Sequence, residues 1–134
     1  MRRRGGFLLF RAVIYAGYGY SLTGLHQTPT LTHALRAQVA LFPLTAWAAI
    51  WLSSAAILTI TAFINPPRDY LGFAVGGGLP VVWAALSGIT WVQNGHGSSD
   101  RTWVNAVIFF GLGGSMLIAA GLVDPPKPAA TDAH

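Results

Sequence analysis

The stretch AQVALFPLTAWAAIWLSSAAILTITAFINPP, residues 37–67, contains no Asp, Glu, Lys or Arg. Two further uncharged stretches follow it, at 70–99 and 102–123. A helix rises about 1.5 Å per residue and the hydrocarbon core of a bilayer is about 30 Å thick, so about 20 apolar residues can cross it. Each of the three stretches is long enough. The pattern therefore predicts an integral membrane protein.

The composition agrees with a membrane location. Of 134 residues, 9% are charged and 53% are hydrophobic, whereas soluble domains carry about 25% charged residues. The chain has no cysteine, so it can form neither a disulfide nor a thiolate metal site. Glu is absent, while Arg, Ala, Gly and Pro are frequent. That bias is typical of GC-rich codons and indicates a high-GC bacterium or its phage.

The predicted fold is all-α, a bundle of four transmembrane helices in one domain over 1–127, with a short flexible tail at 128–134. The predicted spans are 7–25, 38–64, 70–92 and 103–123. The first span contains an Arg and several Tyr, Gly, Ser and Thr residues, so it either crosses the bilayer or lies in its interface. The start MRRRGGFLLF also resembles a signal peptide. We expect the segment to be retained, because Arg11 interrupts the apolar run and no clean cleavage site follows.

Three residues are predicted interface anchors. Arg11 lies less than two turns from the predicted helix start at Phe7, and helical side chains lean toward the N-terminus, so its guanidinium is expected to reach the cytoplasmic headgroups. The alternative places Arg11 against Tyr15 inside the bundle, since both share a helix face. Trp91 and Trp103 flank the polar turn QNGHGSSDRT, where their rings would lie at the headgroup level of one leaflet.

Two spans carry small residues that predict helix packing. In the second span, one side of the helix is small, and Trp47, Trp51 and Leu58 fall on the other side. Small residues let helix backbones approach closely in lipid, although Ser and Thr can also merely bond their own backbone carbonyls. The predicted packing residues are Thr45, Ala49, Ser53 and Ala56 in the second span, and Gly111, Gly114 and Ser115 in the fourth.

The third span contains the sequence GGGLP at 76–80. Proline lacks an amide hydrogen and glycine weakens a helix, so we predict a kink or break there. The predicted hinge residues are Gly76, Gly77, Gly78 and Pro80. Such discontinuities mark binding sites in transporters, but packing alone is the alternative explanation.

The sequence contains no signature of catalysis. No GxSxG, HExxH or GxxxxGK[ST] string occurs, and no His, Asp or Lys lies inside a predicted span, which argues against an ion-coupled transporter or proton channel. His26, His33 and His96 could meet in the outer loops, but their spacing matches no helical metal-binding pair. We expect no enzyme activity, no cofactor and no metal. Because the basic residues are scattered apart from 2–4, we expect no nucleic-acid partner.

Several features of the chain resemble the small multi-pass membrane proteins of actinobacteriophages. They are the RRR start, YAGYGYSLTG at 15–24, WAAIW at 47–51, GLPVVWAAL at 78–86 and the DPP stop at 124–126. Several such proteins are encoded beside the endolysin and are thought to be holins or holin-like. The tail PPKPAATDAH differs from the common holin pattern, since it is short and not strongly basic.

The resemblance implies a holin-like phage protein that forms a homo-oligomer in the lipid bilayer and permeabilises the cytoplasmic membrane during host lysis. The alternative is a non-enzymatic interaction or superinfection-exclusion protein that binds a host or phage membrane protein. In that case the ridge of Trp47 and Trp51 would face the partner.

The distribution of basic residues predicts the topology. If all four segments cross, Arg2, Arg3, Arg4, Arg68 and Lys127 lie on one side, and Arg36 and Arg101 lie on the other. The larger group marks the cytoplasm, so both termini are predicted to be cytoplasmic. A phosphatase fused after Gly95 should then be active in cells and one fused after Lys127 inactive. Activity at both fusion points, or the reverse pattern, would contradict four crossings.

Overall fold

The computed structural model describes residues 3–25, 28–64, 69–95 and 101–121, and all regular secondary structure within them is helical. In chain order the helices are α1 (Arg3–Thr23), α2 (Pro29–Ala34), α3 (Arg36–Leu41), α4 (Leu44–Ala62), α5 (Tyr70–Gln93) and α6 (Thr102–Gly121). The predicted tail lies outside the described residues. For the described part of the chain, the all-helical class is confirmed.

The four long helices pack as an antiparallel bundle, in which α1 lies mainly against α4 and α6 mainly against α5. The start of α1 meets the end of α4, where a Cβ at Gly5 would lie 2.5 Å from the Ala62 carbonyl oxygen. Arg4 joins the starts of α1 and α5, because its Nε lies 3.4 Å from Asp69 Oδ2. The Arg4 guanidinium also covers the Phe73 ring, 4.8 Å from its centroid.

Helices α4, α5 and α6 are each long and apolar enough to cross a membrane. Their outward faces carry large apolar side chains, among them Phe110 at 67% exposure and Ile118 at 71%. Apolar surface of this kind is suited to contact with lipid. Helix α1 is not among the three candidate spans, so a fourth crossing stays a prediction.

The predicted span 38–64 is divided into two helices. Helix α3 ends at Leu41, Phe42 is extended with φ −145° and ψ 148°, and α4 begins after Pro43. The physical reason is that proline lacks an amide hydrogen and pushes the preceding residue out of the helical region. The membrane-length helix is therefore shorter than predicted at both ends.

Helix α4 buries its bulky face, whereas the sequence predicts helix contacts through its small face. Trp47, Trp51 and Leu58 are buried, with 3%, 1% and 0% of their surfaces exposed. The small residues of the opposite face are exposed; these are Thr45, Ala49, Ser53 and Ala56. Within this bundle, α4 therefore packs through its bulky face, because four helices enclose an interior wide enough for indole rings. The small-residue face lies on the outside.

The glycine-rich segment of α5 is continuous helix, and Pro80 lies inside it. No break occurs at the predicted hinge. Gly76 and Gly77 are buried, and a Cβ added at Gly113 of α6 would lie 3.0 Å from the Gly77 carbonyl oxygen. Glycine therefore serves the close approach of α5 and α6, and Gly113 is the α6 residue that makes it.

The other glycines named from the sequence have open surroundings. A Cβ at Gly78, Gly111 or Gly114 would meet no atom within 4 Å. Gly111 is exposed and Gly114 is half-buried. These two α6 positions thus make no close contact inside the bundle, and their role in helix packing between copies stays a prediction.

The contact of α1 with α4 can be tested with neighbouring glycines. In Gly5→Ala the new methyl group would collide with the Ala62 carbonyl, so we expect destabilisation of about 1–3 kcal/mol. Gly6 has nothing within 4 Å of an added Cβ, so Gly6→Ala should be neutral or stabilising by up to about 1 kcal/mol. Thermal unfolding in detergent micelles measures the difference. Equal behaviour of the two variants would contradict the close contact.

Candidate functional site

Arg11 lies in the middle of α1 and points into the bundle, with 4% of its surface exposed. Its Nη2 donates to the Leu112 carbonyl oxygen at 2.8 Å and to the Ser115 hydroxyl of α6. The expectation that Arg11 reaches the headgroups is wrong for this structure. Helix α1 begins at Arg3 rather than Phe7, which places Arg11 about 12 Å from the helix start.

The charge of Arg11 is only partly satisfied. Its Nε and Nη1 are buried without a hydrogen-bond partner, and its guanidinium carbon lies 5.3 Å from the Phe7 ring centroid. Among the described residues the one carboxylate belongs to Asp69, and it pairs with Arg4 at the end of the bundle. No acidic side chain of the described residues therefore neutralises Arg11.

The magnitudes indicate a finely balanced site. For the predicted crossing of α1, an arginine near the centre of a membrane helix costs about 2.5–3.5 kcal/mol on an insertion scale. A hydrogen bond to a charged group contributes about 1.5–3 kcal/mol. The bonds to Leu112 and Ser115 are thus of the size needed to offset burial of the charge. Removing one of them would leave the charge under-compensated.

Tyr15, one turn after Arg11 in α1, supplies a hydrogen-bond donor that the backbone of α5 lacks. Pro80 has no amide hydrogen, so it cannot donate to the carbonyl of Gly76 four residues earlier in α5. The Tyr15 hydroxyl donates to that carbonyl instead, and Tyr15 is fully buried. The helix remains continuous through Pro80 because a neighbouring helix supplies the missing donor.

We use the name central polar layer for the side chains of Arg11, Tyr15 and Ser115 with the carbonyls of Gly76 and Leu112. Three helices contribute to this layer, namely α1, α5 and α6. The alternative placement of Arg11 inside the bundle near Tyr15 is thus observed, although its hydrogen-bond partners lie on α6. Ser115, predicted to pack by its small size, instead acts through its hydroxyl.

An aromatic cluster adjoins the central polar layer. Tyr18 lies at its middle, with ring centroids 4.9 Å from Trp51, 5.6 Å from Trp83 and 5.1 Å from Phe109. Trp47 extends the cluster, 5.0 Å from Trp83. The pairs are edge-to-face or steeply tilted, the arrangement that aromatic quadrupoles favour. The cluster fills the interior with rigid, apolar groups.

A second set of buried polar side chains lies where α3 meets α5, at the end of the bundle opposite the Arg4–Asp69 pair. Gln38 of α3 donates to the Ser87 hydroxyl at 3.1 Å, and the Thr90 hydroxyl accepts from the Ala37 amide at 3.0 Å. The Trp47 indole donates to the Gln38 carbonyl at 2.9 Å. Gln38, Ser87 and Thr90 are fully buried. These bonds dock α3, the helix that ends before Pro43, onto α5.

The remaining predicted residues lie at the same end. Trp103 is half exposed and Trp91 half-buried, each near the end of its helix next to the polar turn. His33 contacts Asn94, with 3.1 Å from Asn94 Nδ2 to the His33 carbonyl oxygen. His26 and His96 lie outside the described residues. Within 3–25, 28–64, 69–95 and 101–121, no three potential metal ligands come together.

The chemistry available to the central polar layer follows from its groups. Arginine offers donors only, and hydroxyls beside a fixed positive charge can orient or hold that charge. The layer holds a cation in a dry helical interior. Comparison with protein-family models, curated proteins and solved structures finds no match to this chain.

The link between Tyr15 and Pro80 predicts a measurable coupling. Tyr15→Phe should destabilise the protein by about 1–3 kcal/mol, because the Gly76 carbonyl is left buried without a donor. Pro80→Ala restores a backbone donor for that carbonyl, so Tyr15→Phe should cost less in this background. Thermal unfolding of the two single variants and the double variant measures the coupling. Additive effects would contradict the compensation.

Proposed function

We propose that this chain is a holin-like protein of the bacterial cytoplasmic membrane, with four crossings and both termini in the cytoplasm. In this proposal, copies of the chain associate laterally and then permeabilise the membrane during host lysis of phage infection. The phage origin rests on the sequence resemblance. The self-association rests on the outer surface of the bundle.

The observation that supports self-association is the outward position of the small face of α4. A monomeric bundle in lipid gains nothing from small residues on its exterior, whereas a second helix gains close backbone contact there. Ala49 and Ser53 lie one turn apart at the centre of this face, and Thr45 and Ala56 extend it. The face is long enough to receive a helix of another copy.

Helix α6 provides a second outward surface of the same type. Gly111 is exposed, Gly114 is half-buried, and both face open space. A chain with two such surfaces on different helices can contact two neighbours. Contacts of that kind build arrays or rings rather than closed dimers, which is the behaviour that a permeabilising assembly requires.

The alternative function, an exclusion or interaction protein, has a predicted binding surface that is not exposed. Trp47 and Trp51 were expected to form an exposed ridge for a partner, but they belong to the buried aromatic cluster. That expectation is wrong for this structure. A hetero-partner would have to use other residues, and the small face of α4 favours a second copy of this chain.

Replacement of Ala49 and Ser53 together by Leu should abolish close self-association and delay lysis, because bulky side chains separate the helices and forfeit dispersion contacts. Gly111→Leu with Gly114→Leu should act in the same direction. Induced wild-type protein should leave growth unaffected, then stop it abruptly, with an uncoupler advancing that moment. Crosslinking in membranes and growth curves supply the two measurements.

The control is Val82→Leu with Ile89→Leu, which changes two exposed apolar side chains of α5 without altering a small-residue face. This variant should keep both the crosslinked ladder and the timing of lysis. An unchanged ladder in the α4 and α6 variants would remove these faces from the assembly. Healthy growth at verified high expression of the wild-type protein would refute the holin-like proposal in favour of an exclusion or accessory role.

A further inference from the structure

Helices α1 and α6 meet along a seam that differs from the other helix contacts. Helix α1 packs chiefly on α4, and α6 chiefly on α5, where Gly77 and Gly113 bring the backbones together. Across the α1–α6 seam, Arg11 binds α6, and the rings of Tyr18 and Phe109 lie 5.1 Å apart. A charged contact and an aromatic contact thus hold a seam that lacks glycine-mediated packing among the described residues.

The charged contact is poorly matched to a dry interior. Arg11 is 4% exposed, and two of its three nitrogens have no partner. A buried charge without a counter-ion is stabilised by any movement that gives it water. Separation of α1 from α6 would expose the guanidinium, together with the Ser115 hydroxyl, on the newly formed surface.

We propose that Arg11 is a built-in release device for the α1–α6 seam. Its buried charge favours opening, and the oxygens of Leu112 and Ser115 restrain it in the closed bundle. This inference rests on the proposed function, because opening of the seam is the step that would turn assembled, closed bundles into a lesion. The exposed guanidiniums would then give the lesion a positively charged lining.

The Arg11 charge and the hydrogen bonds that restrain it have opposite effects on the stability of the closed bundle. Removing the restraint while keeping the charge should destabilise the closed bundle. Ser115→Ala and Arg11→Lys both do this, since Lys retains the charge but lacks the planar fork of donors. Removing the charge should stabilise the closed bundle, because an apolar side chain of similar length has nothing to gain from water. Arg11→Met does this.

The experiment compares these variants of the full chain in two assays. In lipid nanodiscs, Ser115→Ala and Arg11→Lys should lower the unfolding temperature by about 4 °C, and Arg11→Met should leave it unchanged or raise it. In cells, the first two should shorten the interval before growth stops and Arg11→Met should lengthen it. The double variant Arg11→Met with Ser115→Ala should resemble Arg11→Met, because without the charge there is nothing to restrain.

Ser54→Ala is the matched control. The Ser54 hydroxyl bonds the Ile50 carbonyl at 2.8 Å and lies away from the seam, so its loss should not change the timing. A lowered unfolding temperature or a failure to fold in Arg11→Met would overturn the proposal and make Arg11 a structural clasp. Additive effects of Arg11→Met and Ser115→Ala would overturn it as well.

The two assays keep this inference distinct from the proposed function. If wild-type protein neither stops growth nor releases dye from liposomes, the holin-like function falls, and the opposite shifts in unfolding temperature still decide whether Arg11 destabilises the closed bundle. If wild-type protein permeabilises membranes and all the variants share its timing, the function stands and the release device is refuted.

Discussion

The interior of this bundle depends on one constraint: a buried polar group costs free energy unless it finds a hydrogen-bond partner within the protein. Tyr15 meets the constraint for the Gly76 carbonyl, which Pro80 leaves without a backbone donor. Gln38 and Thr90 meet it at the far end of the bundle. These bonds fix the axial register of α1 and α3 against α5, and the aromatic cluster packs in the space that this register leaves.

Arg11 is a charged residue for which the constraint is met incompletely, and the indole nitrogen of Trp51 is likewise buried without a partner. It binds two oxygens of α6 and leaves two nitrogens unpaired. Proteins retain such costly groups inside membranes chiefly where they serve a function. The proposed function needs a closed state that the bundle can leave, and in that proposal the under-compensated charge at the α1–α6 seam favours leaving it. The same residue thus joins the stability of the closed bundle to the proposed mechanism.

The sequence predicted the helical class and three of the long apolar helices, because uncharged length is a direct measure of what a bilayer can contain. It did not predict which face of α4 turns inward. Periodicity separates small from bulky residues, but both faces are compatible with lipid, so only the volume enclosed by four helices decides. The division at Pro43 follows from the missing amide hydrogen of proline, which an uncharged run of residues does not reveal.

The central polar layer could not be derived from spacing alone. Arg11 and Tyr15 are close in sequence, but their partners lie 101 and 61 residues away, at Leu112 and Gly76, and no local pattern encodes those pairings. A usable signal was nevertheless present, since a proline within a membrane helix implies an orphan carbonyl four residues earlier, and a tyrosine on another helix is a suitable donor. The inward orientation of the bulky face of α4 links this interior to the proposed function. Because α4 buries its indole rings, its small residues lie on the outer surface beside larger apolar side chains. In the proposed function copies meet through these small residues, and the interior holds the charge that their opening would expose.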